Sequence, residues 1–308
     1  MRLSGSELVE SREIIPGTWL QAWHAPPVVS GARAGQYIHV RTTEPGGLPL
    51  RRPYPIATTD PASGVLTIQV PGSASASALA WARGLRAGDV ADIAGPLGRP
   101  FEVDQRSRHL LLIAEGPGIA ALRLLADEAI RDVRSVVLLY GATTASQVYP
   151  SSLLPDEVEY VVATADGSLG HPGSVADLVR DYEAWADQAF ASGSPALLGA
   201  VARHAVGRRQ RLGVATLGRK RGGGRPPAAG SPEARRKSFL QLAVVQTIGC
   251  AAGTCGGCTI MGSSGATQRA CREGPVFAAD ELDWGLECSP SAVSSPGSAR
   301  GERRPCGR

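Results

Sequence analysis

Four closely spaced cysteines constrain this chain more than any other feature of its sequence. Cys250, Cys255, Cys258 and Cys271 follow the spacing C-x4-C-x2-C-x12-C in a run rich in glycine. We expect a cytoplasmic protein without a membrane span, because no stretch is long and apolar enough to cross a bilayer and the first residues lack the apolar core of a secretion signal. Disulfides are disfavoured in that compartment, so a metal ion or a metal cluster is the favoured role for these thiols.

The spacing of the cysteines separates two kinds of metal site. Zinc sites usually pair their ligands in two separate knuckles, whereas three cysteines in one tight loop and a fourth further along are typical of a plant-type [2Fe–2S] cluster. Glycines would let the loop curl around such a cluster and aim N–H groups at its sulfurs. The loop contains Gly249, Gly253, Gly256 and Gly257. The pattern favours iron–sulfur over zinc or a non-metal role, and Cys288 and Cys306 are expected to be incidental.

Basic residues are concentrated in one segment. The range 203–237 holds 11 of the 32 Lys and Arg residues and a single acid, Glu233, so the rest of the chain is net negative despite an overall charge of +4. This segment has no aromatic side chain on which bases could stack. We expect residues 213–237 to be a linker or insertion and the protein to have no nucleic-acid partner, with a functional basic patch as the alternative. The tail, 287–308, has little to bury and is expected to be disordered.

The hydrophobic pattern predicts two architectures in succession. Short apolar runs at Tyr37–Val40, Val65–Val70 and Val90–Ala94 are spaced like strands of a small antiparallel barrel. From residue 109, the strand HLLLIA, the turn EGPG, the helix IAALRLLADEAIRD and the strand SVVLLY form a β-α-β unit. Further strands VEYVVAT and DQAFASG alternate with helices SVADLVRDYEAWA and PALLGAVARHAV, which predicts a doubly wound parallel sheet. The segment FLQLAVVQ is compatible with a strand or a short helix.

The stretch LRRPYPIATTD at residues 50–60 suits a flavin dinucleotide. Arg52 precedes Tyr54 by two residues, and Pro53 and Pro55 hold the backbone extended. A guanidinium in this position can clamp a pyrophosphate while the aromatic ring packs beside an isoalloxazine. The alternative is an edge strand with surface arginines and a half-buried tyrosine.

Three segments together resemble a known family. RRPYPI at 51–56, GPLGRPF at 95–101, and CAAGTCGGC followed by CREGPVF within 250–277 occur in the order found in the electron-transfer subunit of class 1B dihydroorotate dehydrogenase, within the ferredoxin–NADP reductase-like superfamily. The resemblance implies an FAD-binding β-barrel at 1–102, a Rossmann-like NAD-binding domain at 103–212 and a [2Fe–2S] module at 238–286. It also implies that the four cysteines bind the cluster and that Arg52, Pro53, Tyr54 and Pro55 line the FAD site.

The chain departs from the family pattern at several positions. Pro55 replaces a Ser or Thr that could hydrogen-bond the flavin. The second FAD segment is represented by GSASASALAW, where Ser75 or Ser77 could face the pyrophosphate or could simply cap a helix. The turn 115–118 places a carboxylate and a proline near the expected NAD phosphates, where repulsion is expected. The segment 192–195, Ser-Gly-Ser-Pro, stands where relatives carry Cys-Gly-x-Pro.

The resemblance implies an oxidoreductase subunit that carries electrons and does not itself oxidise dihydroorotate. Its expected partner is an FMN-containing dihydroorotate dehydrogenase catalytic subunit, in a heterotetramer of two plus two, and its cofactors are FAD and a [2Fe–2S] cluster with NAD(H) as substrate, in pyrimidine synthesis. No residue is assigned as catalytic. A flavin subunit of an NAD(P)H–ferredoxin oxidoreductase or of a sulfur-reducing complex is the alternative, and a zinc-stabilised nucleic-acid-binding module is a more distant one.

Overall fold

The computed structural model describes residues 2–42, 50–211 and 238–284. Two seven-stranded sheets and one two-stranded hairpin make up its β-structure in these ranges. The basic segment 213–237 and the tail 287–308 lie outside the described residues, so the expectations for them stay predictions.

The first sheet is antiparallel and has the strand order β4-β3-β7-β1-β2-β6-β5. Its strands are β1 (Arg2–Ile15), β2 (Thr18–His24), β3 (Tyr37–Thr42), β4 (Leu50–Pro55), β5 (Thr58–Asp60), β6 (Val65–Val70) and β7 (Val90–Leu97). Two helices accompany it, α1 (Pro26–Val29) and α2 (Ala76–Gly84). The three apolar runs predicted as strands lie in β3, β6 and β7.

Alternation of side chains explains why this sheet forms. Along β6, Leu66, Ile68 and Val70 are fully buried, while the intervening Thr67 is half-exposed. This period of two places one face of the strand in the core. The flavin-like segment forms β4 at the edge of the sheet, where Pro53 and Pro55 are tolerated because a central strand would need their missing N–H groups.

The second sheet has the order β11-β10-β9-β8-β12-β13-β16, and every pairing in it is parallel except β13 with β16. Its strands are β8 (His109–Glu115), β9 (Ser135–Ala142), β10 (Glu159–Thr164), β11 (His171–Pro172), β12 (Gln188–Gly193), β13 (Leu240–Val244) and β16 (Val276–Ala278). The helices are α3 (Ile119–Arg131), α4 (Val175–Tyr182) and α5 (Pro195–Arg211). Leu110 and Leu112 of β8 pack in the core shared with α3 and the first sheet, whereas Leu111 and Ile113 pack with α4 and α5. The sheet is therefore covered on both faces, as the sequence predicts.

One helix is shorter than its sequence pattern predicts. The segment SVADLVRDYEAWA begins as expected at Ser174, whose hydroxyl accepts a hydrogen bond from the Ala176 N–H, but α4 ends at Tyr182. The ring of Trp185 instead packs against His109, with ring centroids 4.9 Å apart. The Ala186 N–H still donates to the Tyr182 carbonyl, so the chain makes one more turn before it enters β12. The ambiguous segment FLQLAVVQ forms strand β13.

The C-terminal described residues return to the second sheet. Strand β13 enters it and β16 pairs antiparallel beside it, so residues 245–275 form an excursion attached at both ends, which we call the cysteine segment. It contains the hairpin β14 (Thr259–Met261) with β15 (Thr267–Arg269). The predicted combination of an antiparallel N-terminal sheet, a parallel α/β unit and a small C-terminal module is confirmed. None of the described helices has the length and apolar character of a membrane span.

Candidate functional site

The structure brings together three of the side chains predicted to bind FAD. The Arg52 guanidinium on β4 donates a hydrogen bond of 2.7 Å to the Ser77 hydroxyl in the first turn of α2. The Ser77 and Ser75 hydroxyls lie 3.1 Å apart, and Ser75 caps the helix by accepting from the Ala78 N–H. A second Arg52 contact, from Nε to the Thr42 hydroxyl at 3.3 Å, fixes the guanidinium. A cation, two hydroxyls and the start of a helix are the chemistry that binds a phosphate group.

Tyr54 lies at one end of a row of three aromatic rings. Its centroid is 6.4 Å from that of Trp81 on α2, and Trp81 is 6.1 Å from Trp23, with nearly parallel planes in both pairs. Tyr54 is buried, and its hydroxyl has no hydrogen-bond partner among the described residues. Burial raises the pKa of Tyr54 to about 12, so the phenol keeps its proton at neutral pH. A buried hydroxyl without a partner fits a polar group supplied by a bound molecule.

The prolines of this strand have a backbone role. In the ladder between β3 and β4, Pro53 is opposite His39 and Pro55 is opposite Tyr37. Both prolines are half-buried, and neither can donate a hydrogen bond. They lie beside Arg52 and Tyr54 as the sequence requires, and their contact with FAD stays a prediction.

A large cavity separates the first sheet from the carboxyl ends of the parallel strands. Its volume is about 940 Å³, which is within the range of small-molecule sites. The β1–β2 turn and Leu79 and Arg83 of α2 line one side, and Glu115, Thr143 and Ser194 lie on the other. Dinucleotides bind outside the carboxyl ends of strands in open α/β sheets, so this cavity lies where the sequence predicts the nicotinamide cofactor.

The turn after β8 is fixed by its packing. Residues 116–118 form one turn of 3-10 helix leading into α3, as the strand–turn–helix pattern predicts. A side chain on Gly118 would collide with the Ser192 carbonyl, and Gly116 adopts a φ of +50°. The Glu115 carboxylate accepts a hydrogen bond of 3.0 Å from the Ser194 N–H. Two segments that depart from the family pattern, 115–118 and 192–195, are thus joined directly.

All four cysteines of the motif are free thiols in one segment. Cys258 and Cys271 are buried, Cys250 is half-buried and Cys255 is exposed. The Cys271 N–H donates to the Cys258 sulfur at 3.4 Å. In the described residues, no three His, Cys, Asp or Glu side chains are grouped as a single-ion site would require. A four-cysteine [2Fe–2S] centre instead assigns two thiolates to each iron, and Cys258 with Cys271 already forms one close pair.

Backbone amides favour a thiolate at Cys250. Hydrogen bonds from the N–H groups of Cys255 and then Ala252 lower the pKa of Cys250 to about 5, and the Ala252 N–H lies 3.4 Å from the sulfur. At Cys271, burial comes first, followed by contact with Cys258, and raises the pKa to about 11. The loop thus directs N–H donors at the Cys250 sulfur, as its glycines predict, and favours there the thiolate form that a cluster ligand requires, whereas Cys271 would have to lose its proton when a cluster binds.

Sequence reasoning missed the side chains that hold the cysteine segment in place. Arg269 donates to the Gly253 carbonyl at 3.0 Å and pairs with Glu273 through two hydrogen bonds of 2.7 and 3.1 Å. The sequence carries no signal for this pair, because Arg269 ends strand β15 and the spacing of four residues predicts a contact only within a helix. Tyr37 of β3 packs against Cys258 and Cys271, and its hydroxyl lies 3.5 Å from the Cys271 carbonyl. No pattern in the sequence pointed to Tyr37.

Comparison with known proteins follows the same division of the chain. Residues 246–283, which include all four cysteines, match the family model described as the iron–sulfur cluster binding domain of dihydroorotate dehydrogenase B. The predicted family resemblance is confirmed. The chain is 28% identical to the dihydroorotate dehydrogenase B (NAD(+)) electron transfer subunit of Shouchella clausii, over 82% of this chain and 86% of that protein. The subunit of the same name from Geobacillus thermodenitrificans is 26% identical, over 89% of this chain and 96% of that protein.

Solved structures show the same fold. An NADH-dependent reduced ferredoxin–NADP oxidoreductase aligns with a TM-score of 0.71 and 22% identity, covering 92% of this chain and 91% of its own. The ferredoxin reductase of carbazole 1,9a-dioxygenase aligns with a TM-score of 0.57 and 20% identity, covering 67% of this chain and 66% of its own. This chain therefore has a ferredoxin reductase-like fold throughout most of its length.

Proposed function

We propose that this chain is the electron-transfer subunit of a dihydroorotate dehydrogenase, exchanging electrons between an FMN-containing catalytic subunit and NAD. When bound, FAD supplies the conversion between paired and single electrons, and a [2Fe–2S] cluster supplies single-electron transfer. Arg52, Ser75 and Ser77 would hold the FAD pyrophosphate, with Tyr54 beside the flavin. Cys250, Cys255, Cys258 and Cys271 would hold the cluster, and the cytoplasm is the proposed location.

One observation carries the proposal. Tyr37 packs on Cys258 and Cys271 and lies in β3, directly beside the strand that carries Arg52 and Tyr54. The proposed flavin and cluster residues are therefore one strand apart, although about 200 positions separate them in the sequence. A chain that must pass electrons between two cofactors needs this proximity, whereas a zinc-stabilised binding module would not.

The experiment is anaerobic co-purification with the FMN-containing dihydroorotate dehydrogenase of the same organism, followed by iron, sulfide and flavin analysis. We expect a brown complex, with two copies of each subunit, that reduces NAD when dihydroorotate is added. A colourless protein would contradict the proposal and favour zinc. A brown protein that does not bind the catalytic subunit but reduces ferredoxin with NAD(P)H would favour the ferredoxin oxidoreductase alternative.

A further inference from the structure

The charged side chains that line the cavity between the two sheets are unusual for a site that binds a dinucleotide. Two charged side chains are among the described residues that line it, Arg83 from α2 and Glu115 from the end of β8. Arg83 is exposed, whereas Glu115 is half-buried at the wall formed by the parallel strands. A pyridine dinucleotide carries its negative charge on the pyrophosphate, which binds at the first strand-to-helix turn of such a sheet. Here that turn begins with a carboxylate.

The turn also lacks part of the chemistry that usually binds a pyrophosphate. Pro117 has no N–H group to donate, and Gly118 lies so close to the Ser192 carbonyl that it has no room for a side chain. Anion binding at a helix start depends on free N–H groups directed at the ligand. The turn therefore offers fewer donors to a phosphate than a glycine-only turn would.

The Glu115 carboxylate cannot swing away without a cost. Its Oε2 atom accepts a 3.0 Å hydrogen bond from the Ser194 N–H, which belongs to the turn after the neighbouring strand β12. A charge-assisted bond of this kind holds the negative charge at the wall of the cavity. Moving Glu115 aside would leave the Ser194 N–H without this acceptor, so repulsion between the carboxylate and an incoming pyrophosphate persists in the bound state.

We propose that Glu115, fixed by Ser194, is a specificity-determining residue that weakens the binding of phosphate-bearing dinucleotides to this cavity. The inference rests on the proposed function in one respect only, which is that the ligand of this cavity is a pyridine dinucleotide. Like charges a few ångströms apart at a protein surface account for about a tenfold or greater loss of affinity at low salt. The same charge would have little effect on a ligand without phosphates.

The test is a binding titration of the full-length chain, without partner subunit, using NADH, ADP-ribose and adenosine. Glu115→Gln removes the charge but keeps an oxygen that can accept from the Ser194 N–H, and Glu115→Ala removes both. Glu157→Gln is the matched control, because Glu157 is exposed, changes the net charge by the same amount and does not line the cavity. Flavin content and melting temperature check that each variant is folded.

We expect both Glu115 variants to bind NADH and ADP-ribose about tenfold or more tightly than the unmodified chain at about 0.01 M salt, with the gain shrinking at 1 M salt. Adenosine affinity and the Glu157→Gln variant should not change. Equal affinity of Glu115→Gln and the unmodified chain for ADP-ribose would overturn the proposal. So would an equal gain for adenosine, because the effect would then not depend on phosphate charge. The proposed function is tested separately by the co-purification with the catalytic subunit; failure to reduce NAD with dihydroorotate there, with the gain in this titration intact, would count against the proposed function alone.

Discussion

Replacing Tyr37 with alanine should loosen the cysteine segment while leaving the flavin side intact. The Tyr37 ring is only 3% exposed and packs with Leu97, Ile248, Cys258, Ala270 and Cys271. Removing a buried aromatic ring costs about 3–5 kcal/mol, from lost transfer free energy and from the cavity left behind. Nearly all of this loss falls on the contact between the first sheet and the cysteine segment.

The hydroxyl of Tyr37 should contribute much less than its ring. It lies 3.5 Å from the Cys271 carbonyl, which is long for a hydrogen bond. Burial raises the pKa of Tyr37 well above its usual value, so the group is a neutral donor and carries no charge toward the thiolates at neutral pH. Tyr37→Phe should therefore cost no more than about 1 kcal/mol and serves as the matched control.

Urea titration of the purified chain, followed by the visible absorption of the cluster and separately by flavin fluorescence, measures the two effects. For a slope of about 1–3 kcal/mol per molar urea, a cost of about 3–5 kcal/mol means that Tyr37→Ala should lower the midpoint of cluster loss by roughly 1–5 M. The midpoint of flavin release should move less. Tyr37→Phe should lose the cluster at nearly the same urea concentration as the unmodified chain. If Tyr37→Ala did so too, the ring would not hold the segment and the reasoning would be refuted.

Three further predictions concern the two proposed cofactor sites and the turn after β8. Cys255→Ser should abolish the visible spectrum of the cluster while flavin remains bound, because Cys255 is exposed and distant in sequence from the flavin strand; a retained cluster spectrum would contradict the ligand assignment. Arg52→Ala should weaken FAD binding by about 2–5 kcal/mol if the clamp is desolvated, measured as flavin retained after dialysis, and unchanged flavin content would exclude the clamp. Gly118→Ala should lower the melting temperature more than Gly116→Ala, since an added Cβ at Gly118 meets the Ser192 carbonyl, whereas at Gly116 it meets open space and costs only the strain of a φ of +50°; equal effects would contradict that packing.

The sequence predicts the elements whose signals are local. The parallel strands and their helices follow from apolar runs and helical periodicity, and the cluster motif follows from cysteine spacing. The end of α4 could not be predicted, because the apolar pattern runs on to residue 186 while the helix ends at Tyr182 and Trp185 packs against His109, 76 positions away. The same limit applies to the choice between strand and helix for FLQLAVVQ. Its pairing with β12 and β16 decides the matter, and that pairing is a tertiary property.

At the site, sequence reasoning proposed residues for cofactor binding, which stay predictions, and missed the side chains that hold the cysteine segment in place. The Arg52 motif and the serines near 75 carry a recognisable pattern, and the structure places their side chains within hydrogen-bonding distance of one another. Tyr37 carries no such pattern, since an aromatic residue in a strand is expected in any core. The Glu115 carboxylate was visible in the sequence, but its bond to Ser194 joins two turns that are far apart in the chain.

Two of the family-like segments, GPLGRPF and CREGPVF, are explained by the same contact in the structure. GPLGRPF and CREGPVF meet in the structure: the Arg99 N–H donates to the Gly274 carbonyl at 2.6 Å, and Arg99 pairs with Pro275 in an isolated bridge. Gly98 adopts a φ of +79°, and a side chain there would collide with Pro275. Gln36 secures the same point by donating to the Gly98 carbonyl at 2.9 Å.

This junction sets where the cysteines can lie. The cysteine segment is attached to the second sheet through β13 and β16, and the contact of residues 98–99 with 274–275 ties its end to the segment that directly follows β7. Because β7 pairs with β3, and β3 pairs with β4, the chain from Gly98 leads across two ladders to Arg52. The distance between the proposed cluster and flavin residues is therefore fixed by backbone pairing, and single side chains such as Tyr37 act on how firmly the segment is held at that distance.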